Sequence, residues 1–413
     1  MNARALALDA LERWRNGTEF ADQIVAEIFR RGAFGPADRA FALELFYGVL
    51  RNLTLLDFWI SQLRPAAVDL AARDILRLGL YQTLLIETAA HAAVYETVEL
   101  APPRKRTLIN AILRRALREK DALTSLAEAQ PPPIRLSVPE FLFAKWSEQF
   151  GETNALELCR WNNRPPPIYA RINQLRTTAA EFLKRYPGSS LLPGSSNFAS
   201  LPDPAVALRD GACYLQDPST AFACELLRPA PGENVLDACA APGGKAAYLA
   251  EMMNNQGTLA VADQNETRLE RLQENLARLG VKNARTLRCD WATESSIRAA
   301  ALAEKSFDKI LVDTPCSNSG VMRRRVDVRW RLQPADFARM TRQQLAILQA
   351  VAPLLKPGGS LVYSTCSLEP EENEAVLTNF LRAEPAFRLT KSKQSLPFHE
   401  GIDGAFAGRL ELS

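Results

Sequence analysis

Apolar residues recur at three- and four-residue spacing over the first 130 residues of the chain. The stretches DRAFALELFYGVLRNLTLLDFWISQL and RDILRLGLYQTLLIETAA hold almost no turn-forming residues. Such spacing places the apolar side chains on one face of a helix. The pattern breaks at QPPPIRLSVP, where three consecutive prolines cannot continue a helix. We therefore predict an all-helical domain over residues 1–130.

Residues 131–220 show a weaker and mixed pattern. A second proline-rich stretch, NNRPPPIYARIN, leads into two β-like pieces, IYARIN and CYLQD, with one helix candidate, TTAAEFLKRY, between them. Short strands around one or two helices are typical of small α+β modules. We predict such a module over residues 131–220.

Residues 221–413 alternate between short apolar strands and amphipathic helices. The strands are NVLDACA, TLAVADQ, RTLRCD, FDKILVDTP and GSLVYSTC. The helix ETRLERLQENLARLG ends at Gly280 and carries leucines on one face, namely Leu269, Leu272, Leu276 and Leu279. This alternation predicts an α/β domain whose parallel sheet is covered on both faces. Ligands bind such sheets beyond the carboxyl ends of the strands.

Length and composition fit a soluble protein of several domains. At 413 residues the chain is longer than one typical domain, and 47% of it is hydrophobic at a net charge of +3. Its apolar stretches are shorter than a membrane span. The N-terminus, MNARALALDALERW, lacks the apolar core of a secretory leader. We therefore expect a cytoplasmic protein with no membrane partner.

The seven cysteines form no CxxC pair, and their number is odd. Both facts argue against a zinc site and a disulfide framework, so we expect no metal and reduced thiols. The two histidines lie in no motif, which disfavours histidine base chemistry. Four cysteines are interpreted as small buried hydrophobic residues: Cys159, Cys213, Cys224 and Cys289.

Two of the predicted strands end in a thiol. VDTPCS places Asp313 and Cys316 after one strand, and YSTCS places Cys366 after another. Parallel strands present their carboxyl ends on one rim of the sheet. We therefore expect both thiols on the rim where a ligand would bind.

The first strand of this domain runs into a turn rich in small residues, which we call the glycine turn. Its members are Cys239, Ala240, Ala241, Pro242, Gly243, Gly244 and Lys245. Glycines let the backbone approach a ligand closely, and the following helix offers free N–H groups. A plain strand-to-helix turn would look similar. The turn matches neither the dinucleotide fingerprint nor the P-loop, which disfavours a nicotinamide dehydrogenase.

Acids at two further strand ends favour a nucleoside ligand at the glycine turn. Asp263 follows Gly243 by about 20 residues, the spacing at which an acid accepts hydrogen bonds from a ribose diol. Asp290 ends the third strand and is suited to an adenine edge. A turn with two acids on its rim predicts a site for a nucleoside cofactor.

The motifs DACAAPGGK, VDTPCS and YSTCS, in this order and spacing, closely resemble the Sun-type RNA cytosine-5 methyltransferases. LINAILRRAL and the helices before it resemble the NusB-type RNA-binding domain of bacterial members that methylate small-subunit ribosomal RNA. The tail GIDGAFAGRLEL resembles the closing strand of that family. The chain departs from the family pattern at Ala246, where a threonine is usual, and at Asn318 and Ser319, where a glycine is more usual.

The resemblance implies S-adenosylmethionine as methyl donor and a Rossmann-like methyltransferase domain over residues 221–413, after an RRM-like module. By resemblance, Cys366 is the nucleophile that adds to carbon 6 of cytosine, and Cys316 assists release. Asp313 would bind the pyrimidine and also border the cofactor. A thiol with a pKa of about 8.5 needs cationic help to ionise, and the sulfonium and Lys245 both remain candidates.

RNA is the partner that this resemblance implies, most of all ribosomal RNA, and we expect a monomer. A basic cluster at 104–118 and five arginines around Trp330 in MRRRVDVRWR (322–331, the arginine segment) are candidate phosphate contacts. A solvated helix face and a surface loop are the plain alternatives for these two stretches. Two rival functions stay open: the same chemistry on transfer RNA, and a non-catalytic RNA-binding assembly or antitermination factor.

Overall fold

The computed structural model describes residues 2–32, 34–86, 88–300 and 302–412. The chain divides into two compact units. The first combines Met1–Pro165 with Met322–Arg331, and the second combines Pro166–Val321 with Leu332–Ser413. None of the helices in the described ranges has the length and apolar character that crossing a membrane requires.

The first unit is helical, as its apolar spacing predicts. Its core buries large apolar side chains such as Leu11, Phe46 and Leu76. A π-helical turn, Tyr81–Leu85, follows the fifth helix. The helices are α1 (Ala3–Asn16), α2 (Ala21–Arg31), α3 (Pro36–Arg51), α4 (Leu53–Leu63), α5 (Leu70–Leu80), α6 (Ala90–Glu99), α7 (Pro103–Arg118), α8 (Lys120–Glu128), α9 (Pro132–Arg135), α10 (Glu140–Phe150) and α11 (Glu152–Asn163).

Helical structure continues past the three prolines that we took as the end of this domain. The prolines begin a new short helix, α9, since proline is well tolerated in the first turn, where its missing N–H costs no hydrogen bond. Helices α10 and α11 follow, and the unit extends to Pro165. A proline run therefore marks a helix start here, and the helical region is longer than 1–130.

The second unit begins with a small antiparallel sheet and two helices, which we call the small module. Its strand order is β2-β3-β1-β4. The pieces IYARIN, CYLQD and TTAAEFLKRY form the elements predicted for them. The elements are β1 (Tyr169–Ile172), α12 (Ala179–Arg185), β2 (Ser190–Leu191), β3 (Phe198–Ser200), α13 (Ala205–Arg209) and β4 (Cys213–Leu215).

A seven-stranded sheet forms the rest of the second unit, in the order β10-β11-β9-β8-β5-β6-β7. Five of its strands pair in parallel, whereas β10 and β11 close one edge antiparallel. The strands are β5 (Asn234–Asp237), β6 (Thr258–Asp263), β7 (Ala284–Arg288), β8 (Phe307–Asp313), β9 (Leu355–Thr365), β10 (Phe387–Ser395) and β11 (Ala405–Leu412).

Helices α14 to α17 and α19 to α21 accompany this sheet. The leucine face predicted for α16 is buried, and Gly280 ends that helix in a left-handed conformation at φ 79°. The helices are α14 (Phe222–Leu227), α15 (Gly244–Met252), α16 (Glu266–Leu279), α17 (Glu294–Ala299), α18 (Val328–Arg331, in the first unit), α19 (Pro334–Val351), α20 (Glu374–Ala383) and α21 (Pro397–Glu400).

A buried arginine joins the small module to the seven-stranded sheet within the second unit. Arg171, on β1, is fully buried and forms an ion pair with Glu251 of α15. It also donates a hydrogen bond to the carbonyl oxygen of Gly244 at 3.2 Å and lies 4.5 Å from the ring centroid of Tyr248. The module is therefore attached to the helix that follows the glycine turn.

The arginine segment packs within the first unit, and its contacts contradict our expectation of phosphate binding for Arg329 and Arg331. The Trp330 indole donates to the Leu50 carbonyl at 2.7 Å. Arg329 is buried and donates to the carbonyls of Ser137 and Asn162, whereas Arg331 donates to three backbone carbonyls, those of Trp14, Gly17 and Glu19. These guanidinium groups hold the segment on the helices.

The basic cluster at 104–118 is partly neutralised. Lys105 pairs with Asp69 at 2.6 Å, Arg106 with Glu99, and Arg115 with Glu119. These pairs reduce the net positive charge that α7 presents, so the cluster offers fewer phosphate contacts than its residue count indicates.

Candidate active site

The structure brings the two predicted thiols together. Strands β8 and β9 are neighbours in parallel register, with Asp313 opposite Ser364. The turns that follow them therefore meet at one rim, and the Sγ atoms of Cys316 and Cys366 lie 3.3 Å apart. We call these two residues the thiol pair. Cys316 is buried and Cys366 is partly exposed.

The Cys316 turn explains how the chain uses Asn318 where glycine is more usual. Asn318 has a left-handed backbone, φ 58°, which glycine adopts freely and asparagine tolerates better than most residues. Its amide nitrogen donates to the Cys316 carbonyl at 2.9 Å. The Cys366 thiol donates to its amide oxygen at 3.2 Å. Asparagine therefore keeps the turn and adds a contact to the thiol pair.

Asp313 and Lys245 form an ion pair beside the thiols. The ammonium of Lys245 lies 2.8 Å from the Asp313 carboxylate, which also accepts a 2.7 Å hydrogen bond from the Ser364 hydroxyl. Burial alone lowers the pKa of Lys245, but the Asp313 carboxylate outweighs it and raises that pKa, with a smaller electrostatic contribution from Cys366. Lys245 therefore remains a cation close to Cys366.

The surroundings of Cys316 oppose its ionisation. The hydrogen bond with Cys366 raises the pKa of Cys316 well above its usual value, and burial and the charges of Cys366 and Glu372 raise it further. The cysteines interpreted as structural are buried, and burial raises the pKa of each. They are Cys159, Cys213, Cys224 and Cys289.

The glycine turn lies at the end of β5, and its backbone leaves no room for larger residues. Gly243 has φ 106°, and an added Cβ would lie 2.8 Å from the Leu272 side chain. A Cβ on Gly244 would lie 2.6 Å from the Tyr214 ring. Helix α15 begins at Gly244 without a side-chain cap, so its first N–H groups are open to a ligand. Ala246, where the family usually has a threonine, is buried and has no side-chain oxygen with which to cap the helix.

Asp263 ends β6, as predicted, whereas Asp290 lies two residues beyond the end of β7. Asp263 is buried, accepts a hydrogen bond from the Asn265 N–H at 3.0 Å and lies 3.3 Å from the Arg268 guanidinium. Arg268 also donates to the carbonyl of Ala241 in the glycine turn. Asp290 accepts from the Ala292 N–H at 3.0 Å. Both acids are oriented by local contacts.

Two buried carboxylates at the site escaped the sequence interpretation. Asp237, the last residue of β5, is fully buried, and no side chain in the described residues pairs with it. Burial raises its pKa to about 7, and the nearby charge of Asp313 adds to the effect. The position of Asp237 shortly before the glycine turn was the sequence feature that could have marked it as a site residue. Glu372 contacts the residues that follow both thiols. It was missed because the stretch that contains it, EPEENE, is typical of an exposed acidic segment.

No group of three or more metal-ligating side chains occurs in the part of the chain that the structure describes.

Three family models match consecutive parts of the chain. The NusB family matches residues 1–118, the RsmF/B-like ferredoxin-like domain matches 138–187, and the 16S rRNA methyltransferase RsmB/F family matches 224–407. Their order agrees with the predicted order of helical domain, small module and Rossmann-like domain.

Relatives match over nearly the whole length. A probable ribosomal RNA small subunit methyltransferase B of Bacillus subtilis is 32% identical, covering 98% of this chain and 97% of its own. The chain belongs to the small subunit methyltransferase B family. Another member, from Klebsiella pneumoniae, is 34% identical over 99% of this chain and 98% of its own.

Solved structures place this family member's fold among methyltransferases. A methyltransferase homologue from Pyrococcus horikoshii is 29% identical and superposes with a TM-score of 0.59, covering 68% of this chain and 97% of its own. The predicted fold class is confirmed: an all-helical NusB-like domain, a small α+β module and a Rossmann-like methyltransferase domain.

Proposed function

We propose that this protein transfers the methyl group of S-adenosylmethionine to carbon 5 of a cytosine in small-subunit ribosomal RNA. The observation that carries the proposal is the thiol pair, two sulfur atoms 3.3 Å apart on the rim that also holds Asp313 and the glycine turn. Membership of the methyltransferase B family supports methyl transfer to ribosomal RNA. The intact thiols disfavour a purely structural RNA-binding factor.

The residues around the glycine turn fit S-adenosylmethionine. Asp237 is a buried carboxylate that no side chain in the described ranges pairs with, the kind of group that an ammonium would satisfy. Asp263 is suited to the ribose hydroxyls and Asp290 to the adenine edge, each at a strand end. Gly243 and Gly244 keep the turn narrow and present the open N–H groups of α15. When bound, S-adenosylmethionine supplies the methyl group as a sulfonium-activated electrophile.

The protein's part in the reaction is to make carbon 5 nucleophilic. The Cys366 thiolate forms a bond to carbon 6, and the ring electrons shift toward carbon 5 as an enamine. We infer that the Asp313 carboxylate accepts hydrogen bonds from the amino group and from the ring nitrogen, which takes up a proton as the thiolate adds. Carbon 5 then takes the methyl group, and a water molecule accepts the proton that carbon 5 loses. The electron pair left at carbon 5 re-forms the ring double bond and expels Cys366 from carbon 6 as a thiolate.

Lys245 and Cys316 complete this scheme. The Lys245 ammonium favours the thiolate form of Cys366 through its charge. Cys316, in contact with the Cys366 sulfur, is placed to assist breakdown of the adduct. The target base must leave its stack to reach this rim.

A methyl-transfer assay with position mapping tests the proposal. Purified protein with tritiated S-adenosylmethionine and small-subunit RNA should label the RNA, and bisulfite sequencing should then find one protected cytosine. Cys366→Ala should give no label, while an exposed-residue control, Glu266→Gln, should label normally. Label found on transfer RNA but not on ribosomal RNA would overturn the assignment of ribosomal RNA as the substrate. Label at a position other than carbon 5 would overturn the chemistry.

A further inference from the structure

One buried carboxylate joins the two turns that carry the thiol pair. Glu372 is fully buried. Its oxygens accept hydrogen bonds from the Ser317 N–H at 2.9 Å, from the Ser317 hydroxyl at 2.5 Å and from the Ser367 hydroxyl. Ser317 directly follows Cys316, and Ser367 directly follows Cys366. A single side chain therefore holds both turns in a fixed relation.

Further contacts hold Glu372 itself in place. The Gln344 amide donates to its carboxylate at 3.1 Å and to the Pro315 carbonyl at 3.0 Å. The Tyr363 hydroxyl donates to its backbone carbonyl at 2.5 Å. These donors to the carboxylate are a backbone N–H, two hydroxyl groups and an amide, all of them neutral.

Charges of opposite sign flank the thiol pair. Glu372 acts on Cys316 electrostatically, whereas the Lys245 ammonium acts on Cys366. Tyr363 also interacts electrostatically with Cys316, and Asp313 pairs with Lys245 at 2.8 Å. A neighbouring anion favours a neutral thiol, and a neighbouring cation favours a thiolate. The asymmetry is therefore built into the surroundings of two chemically identical groups.

We propose that Glu372 is a positioning residue that gives the two cysteines unequal roles. It fixes the turns so that the sulfurs touch, and its charge keeps the remaining proton of the pair on Cys316. When the pair loses one proton to solvent, the Cys316 thiol donates a hydrogen bond to the Cys366 thiolate, which is then the nucleophile. The significance of this arrangement rests on the proposed function, because only nucleophilic chemistry needs a thiolate at Cys366.

Thiol alkylation tests this inference without RNA or S-adenosylmethionine. Iodoacetamide labelling of each cysteine, read by peptide mass spectrometry from about pH 6 to about pH 10, reports where each thiolate forms. In Glu372→Gln, the pH midpoint for Cys316 should fall, and the preference for labelling Cys366 over Cys316 near neutral pH should shrink by about tenfold. The matched control is Glu374→Gln, an exposed acid in the first turn of α20, which should leave both profiles unchanged.

A second variant separates charge from position. Glu372→Asp keeps the charge but shortens the side chain, so the Cys316 midpoint should stay high. Diamide should then form the Cys316–Cys366 disulfide more slowly than in the wild type, because the turns are less tightly held. This variant also carries the test if Glu372→Gln fails to fold.

The outcomes distinguish this inference from the proposed function. Methyl transfer by Glu372→Gln should fall about tenfold or more in kcat, while the KM for S-adenosylmethionine changes less than about twofold. A folded Glu372→Gln protein with wild-type alkylation profiles would overturn the charge role, and an unchanged disulfide rate in Glu372→Asp would overturn the positioning role. Shifted profiles in a protein that methylates no RNA would instead overturn only the proposed function.

Discussion

At the scale of single residues, the rim acids are the groups whose roles are most directly measurable. Asp263 ends β6, and its carboxylate is oriented by the Asn265 N–H and by Arg268. Arg268 in turn contacts the Ala241 carbonyl, so the acid and the glycine turn are linked. A ribose at this rim would meet a carboxylate that is already held in position.

Replacing Asp263 should weaken S-adenosylmethionine binding. Losing a charge-assisted hydrogen bond costs roughly 1.5–3 kcal/mol, so Asp263→Ala should lower the affinity about ten- to a hundred-fold in calorimetry. RNA affinity should change little. Glu266→Ala, an exposed acid in the first turn of α16, is the control. Wild-type affinity in Asp263→Ala would place the ribose elsewhere.

Asp237 should make the stability of the free protein depend on pH. Its folded pKa, about 7, lies above the ordinary value of 3.8 because burial opposes ionisation. Its stabilising contribution is therefore complete below the ordinary value and is lost as the pH rises toward 7, by on the order of a few kcal/mol. Asp237→Asn should thus become progressively more stable than the wild type from about pH 4 to about pH 7.

The melting temperature of the two proteins across this range measures the effect, with Asp203→Asn, an exposed acid of the same unit, as control. Saturating S-adenosylmethionine should stabilise the wild type more than Asp237→Asn at pH 8, since an ammonium would offset the buried charge. If the difference in melting temperature between the wild type and Asp237→Asn does not vary with pH, then the pKa of Asp237 is the same in the folded and the unfolded protein. That result would contradict the prediction.

The position of a residue on the rim was predictable where that residue follows a strand. Cys316, Cys366, Asp263 and Asp290 all follow short apolar strands, and parallel strands bring such ends to one rim. Glu372 was not predictable, because its burial depends on how two turns fold over it. An acidic run in sequence gives no sign that one member lies inside.

At the scale of elements, the contact between β1 and α15 sets the position of the glycine turn. Arg171 bonds to the first residue of α15 through the Gly244 carbonyl and pairs with Glu251 inside the same helix. Neither residue lies in a recognisable motif. The pairing arises only when the small module and the seven-stranded sheet are both formed.

Removing Arg171 should destabilise the second unit strongly. Arg171→Met leaves Glu251 buried without its partner, and such an uncompensated charge costs about 3–5 kcal/mol. The double variant Arg171→Met with Glu251→Leu should be less destabilised than Arg171→Met alone, which a double-mutant cycle in denaturant would measure. Arg185→Met, which breaks an exposed pair with Asp210, should cost less than about 1 kcal/mol. Equal losses for the buried and exposed arginines would contradict this view of the contact.

Element patterns in the sequence were reliable for helices and parallel strands and misleading for the arginine segment. Apolar periodicity predicted α16 and β5 to β9 because an element that is buried on one or both faces carries apolar residues at a regular spacing. Strand β10 went unpredicted, since its middle is polar and exposed at the sheet edge. The arginines of 322–331 carry no periodicity, and charge alone cannot separate a guanidinium that binds phosphate from one that bonds to backbone carbonyls.

At the scale of the whole molecule, the chain is not a simple row of domains. Residues 322–331 belong to the first unit, although the residues before and after them belong to the second. A chain that begins at residue 131 would therefore lack most of the helices on which this segment packs. The first unit also extends to Pro165, beyond the predicted boundary. A domain boundary placed at a proline run does not detect such a segment, because residues that are distant in sequence can belong to the same core.

We propose that the thiol pair performs covalent chemistry with Cys366 as the nucleophile and Cys316 as the release residue. The direct measurement is denaturing electrophoresis of Cys316→Ala after incubation with S-adenosylmethionine and substrate RNA, followed by peptide mapping of the linkage. We expect Cys316→Ala to carry methylated RNA attached through Cys366. This RNA–protein adduct should disappear on RNase treatment and be absent from the double cysteine variant. Trapping of RNA by Cys366→Ala through Cys316, with no adduct in Cys316→Ala, would contradict it.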